Sequence, residues 1–319
     1  MSKIKIISKS YYLCDNENNS WFEKNIGSKY AVSEDDSARY GTDRKFAKNE
    51  PMASHLLYTV SGTLESSGKE DSIRPEITGI TYGTRYGCMS EVEEAEKKIR
   101  SKGERGITPK VFSNTIPCGA ASKVAIKKKF SAFNVNNYNG NTGGLDSLII
   151  SCEILREERG VFAVATCGDD ECGVYASVLL ERSDEDDGSV LVSGYSNGMI
   201  YGEDSAEQMK YIIDKAVKVS GADSEKIENV FFIAETDSDK ENLETVCKET
   251  FKAHQDKVFP FESDNIIYSA KGMLAVMYAE NHIKENCGKN AAVIQLGQNN
   301  YFSCVILAKA LRNVPKEIP

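Results

Sequence analysis

Residues 135–160, VNNYNGNTGGLDSLIISCEILREERG, decide the fold of this chain. Val135 and its neighbours are typical of a short β-strand. Gly140 and the glycine pair that follows it mark a tight turn, where the backbone passes close to another segment. From Leu145 onward, apolar residues recur at helical spacing on nearly every side. The pattern therefore predicts a strand, a turn and a buried helix that ends at Gly160.

The residue at the bend of this turn is Asn141. Several enzyme families hold a nucleophile at such a strand-to-helix turn, because the N-terminus of the helix stabilises negative charge. An amide cannot ionise to become a nucleophile. Asparagine is also among the preferred N-cap residues. Local chemistry alone therefore favours a structural role, in which Asn141 caps the helix.

The composition is that of a large globular chain with an acidic surface. Its 319 residues are 40% hydrophobic and carry a net charge of −9. The negative charge argues against nucleic acid as a general partner. No apolar run reaches the ~18 residues of a membrane span, and residues 1–12 are too polar for a signal peptide. We therefore expect a cytoplasmic protein that has no membrane partner.

The cysteines indicate reduced thiols and no metal site. The chain has nine cysteines, an odd number, mostly in apolar surroundings, which is typical of free buried thiols. Cys167 and Cys172 flank an acidic segment, but no second cysteine pair or histidine cluster follows them. We expect neither a bound metal nor any other cofactor.

Strands and helices alternate along the chain, and its second part repeats the theme of the first. Helical periodicity and β-rich runs predict the elements outside the turn. The predicted strands are 3–12, 77–82, 161–166, 172–181, 190–195, 230–234, 291–296 and 301–307. The predicted helices are 52–64, 90–102, 113–130, 205–220, 240–253 and 271–285.

Local signals refine these elements and divide the chain. Ser90 and Glu93 have the spacing of a capping box at the start of their helix. The polar residues 13–50 predict a loop or a partly ordered excursion. The acidic residues 183–188 predict a boundary between two halves, an N-terminal domain at residues 1–182 and a C-terminal domain at residues 189–319.

The sequence of the turn, GNTGGLDSL, resembles the nucleophile turn of β-ketoacyl synthases, G-C-x-x-G-L-D-A. Gly140, Gly144, Leu145 and Asp146 match that motif, and Asn141 stands where the family has its acylated cysteine. The run YFSCVIL that begins at residue 301 is similar to a strand of chain length factors, the ketosynthase-β subunits of type II polyketide synthases. The resemblance implies a thiolase-like α/β fold, in which two similar halves form a five-layered α-β-α-β-α sandwich.

The chain departs from the family at its other catalytic motifs. The family's H-G-T-G-T histidine would follow the strand VFFIA, where this chain has Glu235. The family's G-H dipeptide is matched by Gly272 and Met273. The glycine-rich gating loop keeps only its first glycine, and Gln298 follows it. The chain's histidines fall at no matching position; they are His55, His254 and His282.

The resemblance therefore implies a non-catalytic homologue with vestigial positions at Asn141, Met273 and Glu235. As a chain-length-factor-like subunit, it would form a heterodimer with an active ketosynthase and shape the tunnel for a growing acyl or polyketide chain. An acyl carrier protein would dock mainly on that partner, because this chain is acidic. The tunnel residues that the resemblance implies are Phe112, Ile116, Cys118, Asn141 and Gln298.

Two alternatives remain open at this point. One is an acyltransferase or hydrolase of altered chemistry, with Cys118 as a displaced thiol or Asn141 as an oxyanion donor. No base is adjacent to Cys118 in the sequence, so the simpler expectation is a buried structural cysteine. The other alternative is a homodimeric acyl-binding scaffold that has no catalytic partner.

Overall fold

The computed structural model describes residues 3–14, 19–33, 51–116, 118–171, 173–185, 187–262, 268–285 and 287–310. Within these residues, eleven strands form one mixed sheet. The strands are β1 (Lys3–Leu13), β2 (Ala31–Val32), β3 (Thr78–Gly83), β4 (Asn134–Asn137), β5 (Phe162–Asp169), β6 (Val174–Ser183), β7 (Val190–Met199), β8 (Asn229–Ile233), β9 (Val258–Pro260), β10 (Asn290–Leu296) and β11 (Tyr301–Lys309).

Nine α-helices lie in the same described residues. They are α1 (Asn19–Phe22), α2 (Pro51–Glu65), α3 (Met89–Lys102), α4 (Pro109–Asn114), α5 (Gly119–Lys128), α6 (Gly143–Arg156), α7 (Ser205–Ser220), α8 (Asp237–Thr250) and α9 (Ala270–Lys284). The amphipathic helix predicted at 205–220 is confirmed at both ends, and the predicted closing hairpin is the antiparallel pair of β10 and β11. None of the described helices is long and apolar enough to span a bilayer.

The strand order reveals two halves with the same topology. The first half runs β1-β6-β5-β3-β4 and the second runs β7-β11-β10-β8-β9. In each half the strand that precedes the inner helix, β4 or β9, is parallel to its neighbour and lies at the outer end of the sheet. The halves meet where β1 pairs with β7 at Lys5 and Leu191. The predicted repeat of the α/β theme is thereby confirmed.

Three hydrophobic clusters fill the spaces between five layers, because the central cluster occupies the space on both sides of the inner helices. The central cluster joins the facing sides of both half-sheets to α6 and α9, with Leu148 and Met277 among its members. A second cluster lies between α2, α5 and the outer side of the first half-sheet. The third lies between α7, α8 and the outer side of the second. The layers are therefore α-β-α-β-α, as the resemblance implied.

Three local predictions were wrong. The single helix predicted at 113–130 is two helices, α4 and α5. The capping box at Ser90 does not form, because α3 begins at Met89 and the hydroxyl of Ser90 donates to Glu91 and Asp170 instead. Helix α6 ends at Arg156 rather than at Gly160. Within the predicted loop or partly ordered excursion at 13–50, the described residues include the short elements α1 and β2.

Some predictions fall outside the described residues. These are residue 117 of the helix predicted at 113–130; the second cysteine of the pair at 167 and 172; residues 15–18 and 34–50 of the predicted loop or partly ordered excursion; and residue 186 of the predicted domain boundary. The boundary between the two domains accordingly stays a prediction.

Candidate functional site

The turn between β4 and α6 is held by close backbone approaches that only glycine allows. Gly140 has a φ of +67°, in the left-handed region that side chains rarely adopt. At the start of α6, the amide of Gly144 donates to the carbonyl of Ser269 over 3.1 Å. A Cβ at Gly144 would come within 2.3 Å of that carbonyl oxygen. The turn is therefore pressed against the start of α9, the equivalent inner helix of the other half.

Asn141 does not cap the helix, and the capping role predicted for it was wrong. The N-cap of α6 is Thr142, which makes no side-chain capping bond. Asn141 is only 1% exposed, and its amide nitrogen donates to the carboxylate of Glu235, on the other half of the molecule. Its backbone carbonyl accepts from Gln295 Nε2 over 2.8 Å. The side chain is thus used for contact between the halves.

Glu235 connects Asn141 to a chain of polar side chains at the mouth of the turn. Gln298 Nε2 donates to Glu235 Oε2 over 3.4 Å, and Arg85 Nη2 donates to Gln298 Oε1 over 2.6 Å. The guanidinium of Arg85 also lies over the rings of Tyr86 and Tyr268, at 4.7 and 4.4 Å. Of the predicted residues, the structure brings Asn141, Glu235 and Gln298 into one network.

Two amide oxygens beside this network lack a hydrogen-bond donor. Among the described residues, neither Asn141 Oδ1 nor Gln295 Oε1 has a partner, although both are buried. A buried carbonyl oxygen without a donor costs about 1–3 kcal/mol. The mouth of the turn therefore presents hydrogen-bond acceptors and one carboxylate. Such a set can orient a donor group, but it contains no thiol or hydroxyl that could be acylated as the family's cysteine is.

The base of the turn is organised by Asp146, whose structural role the sequence motif did not reveal. Its fully buried carboxylate accepts four hydrogen bonds. The donors are Asn139 and Thr142 from the turn, Asn197 from β7 and Ser303 from β11. Burial raises the pKa of Asp146, and the four donated bonds oppose that rise. This residue fixes the turn to the second half-sheet.

Asp169, at the end of β5, plays a similar part and was also missed. Its carboxylate accepts from Thr84 Oγ1 over 2.6 Å and from the backbone amide of Arg85 over 2.8 Å. On the other side it accepts from the hydroxyl and amide of Ser269, at 2.5 and 3.1 Å. The sequence signal was an acidic residue three positions after the strand predicted at 161–166. Asp169 joins the loop after β3 to the start of α9.

Met273 lies in the interior near the network but takes no polar part in it. It is fully buried on α9, within the central hydrophobic cluster. The preceding residue, Gly272, lies where a Cβ would come within 2.3 Å of Gln295 Oε1 and 2.9 Å of the Cβ of Leu145. The thioether of Met273 is apolar and fills space between α9 and α6, where the resemblance implies a histidine.

The remaining predicted tunnel residues lie near the surface. Phe112 is 59% exposed and Ile116 is 40% exposed. Cys118 is partly exposed, which corrects the expectation of a buried cysteine. Partial burial raises the pKa of Tyr138, which follows β4 and is 42% exposed, to about 12, with Cys118 and Cys88 as lesser causes. No described contact joins Phe112, Ile116 or Cys118 to Asn141, and their role in a tunnel stays a prediction.

The histidines lie elsewhere in the fold. His55 is on α2 in the outer layer, where it stacks on Tyr12 at 4.8 Å. His254 follows α8 and contacts the carbonyl of Glu225 over 3.0 Å. His282 is on α9 and packs against Phe231. In the described part of the chain, no group of three His, Cys, Asp or Glu residues could hold a metal ion.

Comparison with known proteins identifies the fold. No protein-family model and no curated protein matches the sequence. The structure of the ishigamide ketosynthase/chain length factor matches with a TM-score of 0.77 and 13% identity, covering 97% of this chain and 100% of that one. A β-ketoacyl synthase from Burkholderia phymatum STM815 matches with a TM-score of 0.77 and 11% identity, covering 98% and 100%.

A third match comes from the complex of a type II polyketide synthase acyl-carrier protein with its ketosynthase, with a TM-score of 0.75, 13% identity and coverage of 96% and 99%. Together these matches show that the chain has the thiolase-like fold of the ketosynthases, as its sequence predicted. Identity this low establishes fold alone, because one fold supports many functions.

Proposed function

We propose that the chain is a non-catalytic subunit of chain-length-factor type, which pairs with an active ketosynthase and shapes the tunnel for its acyl or polyketide chain. The observation that carries the proposal is the state of Asn141. At the position of the family's acylated cysteine, its amide nitrogen is engaged by Glu235. A group that cannot ionise and is already hydrogen-bonded supplies no nucleophile.

The same contact argues against the first alternative. An oxyanion donor needs N–H groups that point at a developing negative charge. The amide nitrogen of Asn141 already donates a hydrogen bond to the carboxylate of Glu235, and the charge of that carboxylate would repel an oxyanion. Met273 is fully buried, and its thioether can neither donate nor accept a proton. These features support a structural subunit more than an enzyme of altered chemistry.

The edge of the first half-sheet supports a partner. Strand β4 ends the described sheet on that side. Large apolar side chains near this edge are exposed, including Phe112 and Ile116 on and after α4 and Tyr138 after β4. An open edge with exposed apolar neighbours invites pairing with another chain. A protein whose structure matches is named for both components, a ketosynthase and a chain length factor.

The test is co-expression with a cysteine-bearing type II ketosynthase and its acyl carrier protein, followed by size-exclusion chromatography with mass determination. We expect a one-to-one complex with a cysteine-bearing ketosynthase. Phe112→Glu should weaken that complex at least tenfold, because it places a charge in an apolar contact. Tyr211→Glu, at a residue 69% exposed on α7, is the matched control and should leave the complex intact.

Other outcomes decide between the remaining hypotheses. A stable homodimer that ignores the ketosynthase would contradict the proposal and favour the homodimeric acyl-binding scaffold. Incubation with a reactive acyl thioester, followed by intact-mass measurement, should show no acylated protein. An acyl group that is carried by the wild type and lost in Cys118→Ala would instead establish an enzyme of altered chemistry.

A further inference from the structure

A second site, independent of the proposed function, lies beneath the outer strand of the second half-sheet. It is an open cavity of about 270 Å³ between β8, β9, α9 and the segment that contains α1. That volume is below the ~300 Å³ lower limit of typical ligand pockets, so it suits a small molecule or a head group. The lining residues are Trp21, Asn25, Phe231, Phe259, Pro260, Phe261, Glu262, Tyr278 and His282.

Aromatic rings make up most of this wall and meet at several angles. Phe231 lies edge-on to Tyr278, with ring centres 5.2 Å apart at 82°. Trp21 lies edge-on to Phe261 at 5.5 Å and 83°. Phe231 and Phe259 are nearly parallel, at 6.3 Å and 27°. Rings turned in different directions enclose the space with both faces and edges, and ring faces carry negative potential.

The one carboxylate that lines the cavity adds a negative charge to the negative potential of the ring faces. Glu262 is the one carboxylate in the wall, and no lysine or arginine is among the described lining residues. Lys240 reaches Glu262 from outside, with Nζ 3.2 Å from Oε1. Because Glu262 is largely exposed, this ion pair is weak and leaves the carboxylate able to attract a second cation.

The geometry points to a binding site for a small alkylated ammonium group, such as the head group of choline. A quaternary ammonium is attracted to the faces of Trp, Tyr and Phe and to a carboxylate, and its methyl groups suit an apolar wall. An anion would be repelled by Glu262. A neutral apolar ligand would gain nothing from Glu262 and would partly desolvate it. An alkylated ammonium satisfies the rings and the carboxylate together.

Trp21 allows a direct measurement, because it is the only tryptophan in the 319-residue chain and it lines the cavity. Choline chloride is titrated into the full-length protein while tryptophan fluorescence is recorded, with sodium chloride at equal ionic strength as the blank. We expect a saturable change. The neutral isostere 3,3-dimethylbutan-1-ol should bind roughly three- to thirtyfold more weakly, the range that cation–π attraction spans.

Variants then assign the binding to this cavity. Glu262→Gln keeps the shape and removes the charge, and Phe259→Leu removes a ring that is 41% exposed, so neither should unfold the protein. Each should weaken choline binding about threefold or more. Glu249→Gln, an exposed residue on α8 outside the lining, makes the same charge change and should have no effect. Calorimetry provides a second readout that does not depend on Trp21.

A parallel measurement with phosphatidylcholine vesicles distinguishes a soluble ligand from the head group of a lipid. Binding of free choline assigns a soluble ligand, whereas binding to vesicles that Glu262→Gln weakens assigns a lipid head group. Equal affinity for choline and its neutral isostere would overturn the proposal. So would choline binding that survives both variants, or the absence of saturable binding in fluorescence, calorimetry and vesicle measurements alike.

Discussion

At the base of the turn, the carboxylate of Asp146 is buried and accepts four hydrogen bonds. At its mouth, the carboxylate of Glu235 reaches in from an exposed position, and Asn141 keeps an amide oxygen that has no described donor. Both carboxylates join the two halves of the molecule. They differ in the hydrogen bonding around them, which is complete at Asp146 and, among the described residues, leaves an acceptor unpaired beside Glu235.

This difference separates the residues that hold the turn in place from the residue at its bend, where the family's chemistry would occur. The bonds of Asp146 and Asp169 fix the backbone of the turn and the start of α9, and none of them involves the side chain of Asn141. A turn secured from below keeps its shape whichever side chain stands at the bend. The chain can therefore hold the thiolase-like fold with a side chain at the bend that cannot ionise.

The largest expected effect comes from removing the carboxylate of Asp146 at the bottom of the turn. Asp146→Ala leaves two buried hydroxyl donors, Thr142 and Ser303, and two half-buried amide donors, Asn139 and Asn197, without their acceptor, and should lower the free energy of unfolding by about 4 kcal/mol. Ser303→Ala removes one of those donors and should cost only about 1 kcal/mol. Urea denaturation followed by circular dichroism measures both. If the two variants were equally stable, Asp146 would not be the anchor of the turn.

A second, smaller effect is the pH dependence of stability that comes from Asp170, the residue after Asp169, and its contact with His55. Oδ1 of Asp170 lies 3.6 Å from Nδ1 of His55. Burial alone would lower the pKa of His55, but hydrogen bonds to Asp170 and Cys14 outweigh it and raise that pKa to about 9. The folded value exceeds the unfolded value of ~6.5. The stabilisation is therefore complete below pH ~6.5 and is lost as the pH rises to about 9.

The expected size of this loss is up to about 3 kcal/mol, and stability measured by urea denaturation across that pH range reports it. His55→Gln should remove most of the pH dependence. His254→Gln, on the other half of the molecule, is the control and should retain it. Stability of the wild type that rises over the same range would contradict the assignment of the charge to His55.

The contrast between base and mouth also explains which features the sequence predicted. Helix α7 and the β10–β11 hairpin follow from periodicity and turn chemistry, which are local signals. The role of Asn141 did not follow, because its partner Glu235 is 94 positions away in the chain. The capping box at Ser90 failed for the same reason, since Asp170 competes for the hydroxyl. Likewise, no local pattern brings Trp21 together with Phe231 and Tyr278.

At the mouth, Asn141→Ala should change the free energy of unfolding by less than about 1 kcal/mol, although the side chain is buried. The variant loses the bond to Glu235, which can rehydrate because it is exposed. It also removes a buried amide oxygen that lacks a donor, and that relief offsets the loss. Thermal unfolding monitored by circular dichroism measures the difference. A cost as large as that of Asp146→Ala would place Asn141 in the scaffold.

The smallest effect should come from Glu235→Gln, which keeps the shape of the side chain and removes its charge. Exposed charged pairs and hydrogen bonds contribute about 0.5 kcal/mol or less. The amide oxygen of the new glutamine can still accept from Asn141, so the contact between the halves survives in weaker form. Glu225→Gln, another exposed acid of the second half, supplies the baseline for a change of one charge. A loss well beyond that baseline would mean that Glu235 anchors the turn as Asp146 does, and the distinction between a structural base and a permissive mouth would then fail.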